Sequence, residues 1–201
     1  MKYSENFLVE LAQEPDVHSF WNAVRLIDSD KNQAIENLKN LSENGSILSM
    51  VYLGDLYVNG RGVPRDVRRG DEWYKEAAKY GSIEASYRLA VARWKSGAYE
   101  SSIKDFISLT KRGFSPAMCC LGSIYVTGMG VPRDERRALT FFKMASRRDH
   151  LLAKQGISKI YRERKKNLCH KLIGYYIILY LLFVGSWYKF FYPESDRFRC
   201  W

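Results

Sequence analysis

The residues of this chain that could do chemistry are few and scattered. His18, His150 and His170 stand far apart, and none pairs with a nucleophile at a motif spacing. Of Cys119, Cys120, Cys169 and Cys200, the first two are adjacent and so point to different sides of a helix. No Cys-x-x-Cys occurs, which leaves neither a zinc nor a redox spacing. The carboxylates are mostly single residues on helix faces. Gly60-Arg61-Gly62 and Gly128-Met129-Gly130 would suit phosphate only after a strand, and none is predicted. The pattern predicts no enzyme, no cofactor and no metal. Cys169 beside a membrane would be an acylation candidate, though a bystander thiol explains it as well. What remains is binding chemistry. Tyr87, Trp94 and Lys95 lie at helical spacing, and aromatic and basic residues together suit a peptide with apolar anchors and some acidic character.

The elements that must position these residues repeat along the chain. Leu53-Gly54-Asp55-Leu56-Tyr57-Val58-Asn59-Gly60-Arg61-Gly62-Val63-Pro64-Arg65-Asp66 recurs as Leu121 to Asp134, 68 residues later (121 − 53). A degenerate copy lies between them, its Ala85 to Ala90 aligning with Ala117 to Gly122, so the steps are 36 (89 − 53) and 32 (121 − 89). Periods of this size indicate a solenoid of stacked helix pairs. Leu53, Gly54 and Tyr57 share one side of a first helix, where the glycine admits a close neighbour. Pro64 stops that helix and Asp66 caps the next. Trp73, Tyr74, Ala77 and Ala78 form the inner side of the second helix.

With Ala-x-x-x-Leu-Gly-x-x-Tyr-x-x-Gly-x-Gly-Val-x-x-Asp followed by an aromatic pair and Ala-Ala, the pattern resembles the Sel-like repeat, a relative of the tetratricopeptide repeat. Residues 49–81 and 117–146 match nearly in full, with Ser49 in place of the first Ala. The resemblance implies an all-α, right-handed α-solenoid of helix-turn-helix repeats that binds proteins and brings no catalytic motif. It also implies a concave groove lined by first-helix positions: Val51, Asp55, Val58 and Asn59, then Tyr87, Val91, Trp94 and Lys95, then Cys119, Ser123, Val126 and Thr127. Each has an alternative role in packing between repeats. For Trp94 that alternative is concrete, because the equivalent positions hold Val58 and Val126. Secreted relatives carry a cysteine pair within each repeat, and its lack here favours a reducing compartment.

In chain order, 1–45 reads as N-terminal helices and an eroded first repeat. Phe7, Leu8 and Leu11 fit a short amphipathic helix with no secretory signal, Phe20, Trp21, Val24 and Ile27 a second stripe, and Ala34, Ile35, Leu38 and Leu41 a third. Then come a repeat at 46–81, a degenerate repeat at 82–113 whose loop shortens to Lys95 to Tyr99, a repeat at 114–148, and a capping helix with a basic segment at 149–171. The sequons at Asn40 and Asn44 would need secretion to matter. Leu172 to Tyr188 is 17 residues without a charge, so 172–192 is expected to be a transmembrane helix and 193–201 a short tail. A closing helix of the solenoid is the competing reading.

Charge sits unevenly. From Lys159 onward there are nine Lys/Arg and three Asp/Glu, +6 of the total +10. This points away from a nucleic-acid-binding face. Arg162, Arg164, Lys165, Lys166 and Lys171 precede the span, which by the positive-inside rule puts the repeats in the cytosol with the basic run against lipid headgroups. The expected protein is a tail-anchored scaffold presenting its groove to a protein or peptide at the cytosolic face of a membrane. Its alternatives are a regulatory subunit of a membrane enzyme complex for envelope polysaccharide or secretion, a luminal or periplasmic quality-control adaptor, and an envelope hydrolase.

Overall fold

The computed structural model describes residues 11–163 and 168–191, with backbone only at 168–171 and 187–191. Phe7, Leu8, Arg164, Lys165, Lys166 and the 193–201 tail lie outside the described residues, as do the side chains of Cys169, Lys171, Trp187 and Tyr188. Ten helices are described: α1 (Val17–Leu26), α2 (Lys31–Glu43), α3 (Ile47–Asn59), α4 (Val67–Lys79), α5 (Ile83–Lys95), α6 (Tyr99–Lys111), α7 (Ser115–Thr127), α8 (Glu135–Ser146), α9 (Leu151–Glu163) and α10 (Leu168–Phe191). Among the described residues there is no strand. The architecture is an all-helical solenoid. Its described chain divides into two compact units, with the boundary in sequence between Ala92 and Arg93.

Within the first unit, Phe20, Ala23, Ile27, Ala34, Leu38, Leu48, Leu53 and Leu56 form one apolar cluster across α1, α2 and α3. Met50, Val51, Tyr74, Ala77 and Ala85 form the next. Asp16, Asp30 and Asp66 each cap a helix by accepting a backbone N–H three residues on. In the second unit Met118, Cys119, Tyr125, Ala138, Leu139, Phe142, Ala153 and Ile160 make the core.

The two well-matched repeats share the geometry of their turn. Gly60 and Gly128 end α3 and α7 in the left-handed region, at φ 69° and 75°. The Asp66 N–H then donates to Tyr57 O, and the Asp134 N–H to Tyr125 O, both at 2.9 Å. Arg69 lies over the Tyr57 ring at 4.7 Å and Arg137 over Tyr125 at 5.6 Å, so each signature tyrosine is roofed by a guanidinium. A valine at Gly128 must take a positive φ beside Arg133 Cβ, which would lie 3.3 Å from the new Cβ. Gly128→Val should cost about 1–3 kcal/mol in urea unfolding, and unchanged melting would contradict this geometry.

The C-terminal helix gives the expected membrane span no support. Among the described residues no helix is long and apolar enough to cross a membrane. α10 instead packs along α9, and Tyr175, Tyr176 and Tyr180 would carry hydroxyls into a hydrocarbon core. Its register is that of a repeat's second helix. Gly174 and Ser158 stand 104 residues after Gly70 and Gly54 (174 − 70; 158 − 54). A Cβ on Gly70 would lie 2.9 Å from Gly54 O, and one on Gly174 3.0 Å from Ser158 O. Ser158 Oγ donates to Gly174 O at 2.7 Å. The inner stripe Gly70, Tyr74, Ala77 of α4 thus returns as Gly174, Ile178, Leu181 in α10. The segment expected to be a capping helix is the first half of a fifth helix pair, and the expected span packs as its second half.

Candidate functional site

Turn chemistry brings part of the expected groove together in the second unit. The α5–α6 connection is only Ser96 to Ala98. The Ala98 N–H donates to Arg93 O at 2.9 Å and that of Tyr99 to Gly97 O at 2.8 Å, folding α6 back against the end of α5. Trp94 and Tyr99 therefore meet, their ring centroids 4.6 Å apart. Gly130 sits so close to Tyr99 that an added Cβ would lie 2.5 Å from Tyr99 Cβ. That approach draws the loop after α7 toward α6. Between these elements lies a cleft of about 450 Å³ lined by Trp94, Lys95, Tyr99, Ser123, Ile124, Thr127 and Met129.

The cleft has an apolar floor and a single positive edge. Trp94 is 6% exposed and Ile124 is buried, while Lys95 and Met129 are open to solvent. Thr127 Oγ1 lies 3.1 Å from both Ser123 O and Ile124 O, which holds its hydroxyl against its own helix. Arg93 is paired with Asp105, whereas Lys95 forms no ion pair among the described residues. The uncompensated charge at the rim is therefore one ammonium. Aromatic and aliphatic walls with one cation can hold an apolar side chain next to a carboxylate.

The other expected groove residues have different surroundings. Val51 packs in the cluster around Tyr74, Tyr87 is buried, and Val91 is half-buried. Val58 and Val126 pack against the cores of their own units, and Cys119 is buried. Asn59 is exposed, its Nδ2 donating to Asp55 O at 2.9 Å. Asp55 is occupied. Tyr74 Oη donates to its Oδ1 at 2.5 Å, and Arg88 reaches it at 3.2 Å while also pairing with Glu84 at 2.8 Å. Burial, then the Asp55 charge, drives the Tyr74 hydroxyl well above the usual tyrosine range. Burial pulls the Arg88 guanidinium down, but Glu84 and Asp55 outweigh it and hold it charged. This network joins α3, α4 and α5 and fixes their packing.

Reading only first helices missed Tyr99, on a second helix, and Met129, in a loop. It also missed Glu14, a buried carboxyl whose Oε2 accepts from the Leu48 N–H at 3.3 Å at the start of α3. Burial raises this carboxyl above the carboxylate range, hydrogen bonds from Ser46 and Leu48 oppose the rise, and the Asp16 charge adds to it. The folded state holds the proton more tightly than the unfolded one. This group's contribution therefore declines as pH rises from the ordinary value of 4.5 through the raised folded value, and is flat above it. Urea midpoints of wild type and Glu14→Gln should show the wild-type advantage shrinking as pH rises above 4.5. An advantage that grows would contradict the assignment.

Paired helices on a recurring Gly-turn define a helical-repeat fold. Two of these repeats match a known family model: the Sel1 repeat model matches residues 47–82 and 115–150. A chitin synthase regulatory factor 3 from Schizosaccharomyces pombe is 25% identical over 146 residues, which is 67% of this chain and 16% of that protein. The chain thus spans about a sixth of the length of that relative. Among solved structures, a Sel1 repeat protein from Oxalobacter formigenes superposes with TM-score 0.69 at 18% identity, over 90% of this chain and 81% of that one. A protective antigen from uropathogenic Escherichia coli with an SLR fold gives 0.64 at 23% identity, over 79% and 36%. An immunity protein from Pseudomonas aeruginosa gives 0.57 at 19%, over 79% and 63%. These structural likenesses establish the shared fold.

Proposed function

We propose that this protein is a non-catalytic adaptor whose Trp94–Met129 cleft captures a peptide segment of a partner protein at the cytosolic face of a membrane. The observation that carries the reading is the convergence of Trp94, Lys95, Ser123 and Thr127 on one cleft with Tyr99, Ile124 and Met129. The segment that fits has one bulky apolar side chain with an acidic residue beside it, because the cleft offers an apolar floor and one free ammonium. Cytosolic placement draws on the lack, in the two matched repeats, of the cysteine pair that secreted relatives carry. Membrane placement draws on the apolar C-terminal helix and the basic segment before it.

The test is selection of a random peptide library on the purified protein, followed by titration against Met129→Glu and Lys95→Glu. Both side chains are exposed, so folding is insulated from the changes. Enriched peptides should carry an aromatic or aliphatic residue near Asp or Glu, and each variant should weaken them by roughly tenfold or more. Peptides that bind both variants as tightly as wild type would move the site elsewhere.

The likeness to a chitin synthase regulatory factor favours one more specific version, in which the captured partner belongs to a membrane polysaccharide synthase that the adaptor regulates. Co-purification with such a synthase, lost in Met129→Glu, would support it. A complex that survives the change would exclude this cleft from it.

A further inference from the structure

α10 departs from α4 along its solvent-facing side. Carried across by 104 residues, the exposed Arg68, Glu72, Lys75 and Lys79 of α4 become Leu172, Tyr176, Leu179 and Phe183 (172 − 68). These four are 60, 74, 66 and 79% exposed. In α4 the same positions are charged and stay exposed although further repeats follow it. A further repeat in the same register would therefore leave them uncovered. A contiguous apolar face of this kind marks an interaction surface.

Its neighbourhood specifies the occupant. Beside this face, between α9 and α10, is a cleft of about 280 Å³ lined by Gln155, Lys159, Arg162, Ile178, Leu181 and Leu182. Its α9 side is an amide and two cations, and its α10 side is three aliphatic chains. Lys159 and Arg162 are exposed and form no ion pair among the described residues. The segment that follows continues the charge with Arg164, Lys165 and Lys166. Cations set against an apolar face, with tyrosines among the apolar residues, match the layering of headgroup, interface and acyl chain.

We propose that the α9–α10 pair docks in the plane of an anionic phospholipid surface, deepening the membrane half of the adaptor reading on which it rests. Lys159 and Arg162, with the Gln155 amide, hold the phosphate of one headgroup. Leu172, Leu179, Leu182 and Phe183 enter the upper acyl region, and the Tyr176 and Tyr180 hydroxyls stay at headgroup level. The helix lies on the bilayer and one face remains packed on α9, as for a monotopic amphipathic helix.

Flotation of the full chain with vesicles tests this. Phosphatidylcholine alone is compared with phosphatidylcholine containing phosphatidylglycerol, in about 0.1 M salt. Wild type should prefer the anionic vesicles by thirtyfold or more. Lys159→Gln/Arg162→Gln should melt unchanged and lose roughly thirty-fold toward anionic vesicles, at about fivefold per basic residue, with binding to neutral vesicles kept. Leu179→Glu/Phe183→Glu should lose both. Equal binding of wild type to both vesicles, or an undiminished anionic preference in the Gln pair, would overturn the headgroup site and leave the membrane reading standing. No vesicle binding by wild type, with a dimer in light scattering that Leu179→Glu/Phe183→Glu abolishes, would overturn both in favour of a second copy. Vesicle binding that survives that Glu pair would overturn the docking face.

Discussion

Trp94→Ala is expected to lower stability by about 3–5 kcal/mol in urea unfolding, and to lose peptide capture with it. At 6% exposure the indole is part of the core, and its removal also takes away the partner ring of Tyr99 at 4.6 Å. Most folded domains hold only about 5–15 kcal/mol in total, so the unit would be close to its unfolding threshold. Trp94→Phe keeps a ring at that place and should recover more than half of the loss. A Trp94→Ala protein that melts like wild type would mean that the ring is a surface anchor, and that the cleft floor has been misassigned.

Gly122→Leu is expected to cost about 3 kcal/mol or more, the upper end for an overpacked core. A Cβ on Gly122 would stand 2.6 Å from Phe142 Cδ1 and Cε1, and one on Gly156 2.5 Å from Phe142 Cζ. The Phe142 ring thus occupies the space that a side chain at either glycine, on α7 or on α9, would need. Gly122→Leu combined with Phe142→Ala should recover part of the loss, because the cavity left by the ring can take the new side chain. A double variant no better than Gly122→Leu alone would show that the damage lies in the helix backbone.

The repeat units were legible because their sequence signal is local. Gly60 and Gly128 sit at left-handed caps, Asp66 and Asp134 cap helices, and Gly54 and Gly122 lie under rings, all at fixed offsets. The groove was legible only in part. Val51 and Asp55 occupy the expected first-helix positions, but the first packs against Tyr74 and the second is held by Tyr74 and Arg88. A spacing rule gives a side chain's direction along a helix and carries no information about which neighbour claims it. Tyr99 and Met129 come from outside the first helices, and only the short α5–α6 turn and the Gly130 approach bring them in.

The C-terminal helix shows a different limit. Its apolar composition dominates a hydropathy reading, and 17 uncharged residues look like a span. The packing signal, Gly174, Ile178 and Leu181 in the register of Gly70, Tyr74 and Ala77, was present in the same letters. It is carried by three residues, and the loss of charge at Leu172, Tyr176, Leu179 and Phe183 obscures it.

The central claim, a peptide held in the Trp94–Met129 cleft, is tested most directly by methyl NMR of the protein titrated with a library-selected peptide. The account predicts saturable shifts at the methyl groups of Ile124, Thr127 and Met129, abolished by Lys95→Glu for peptides whose acidic residue is essential. Shifts confined to methyl groups of α9 and α10, with Ile124 and Met129 unmoved, would contradict it.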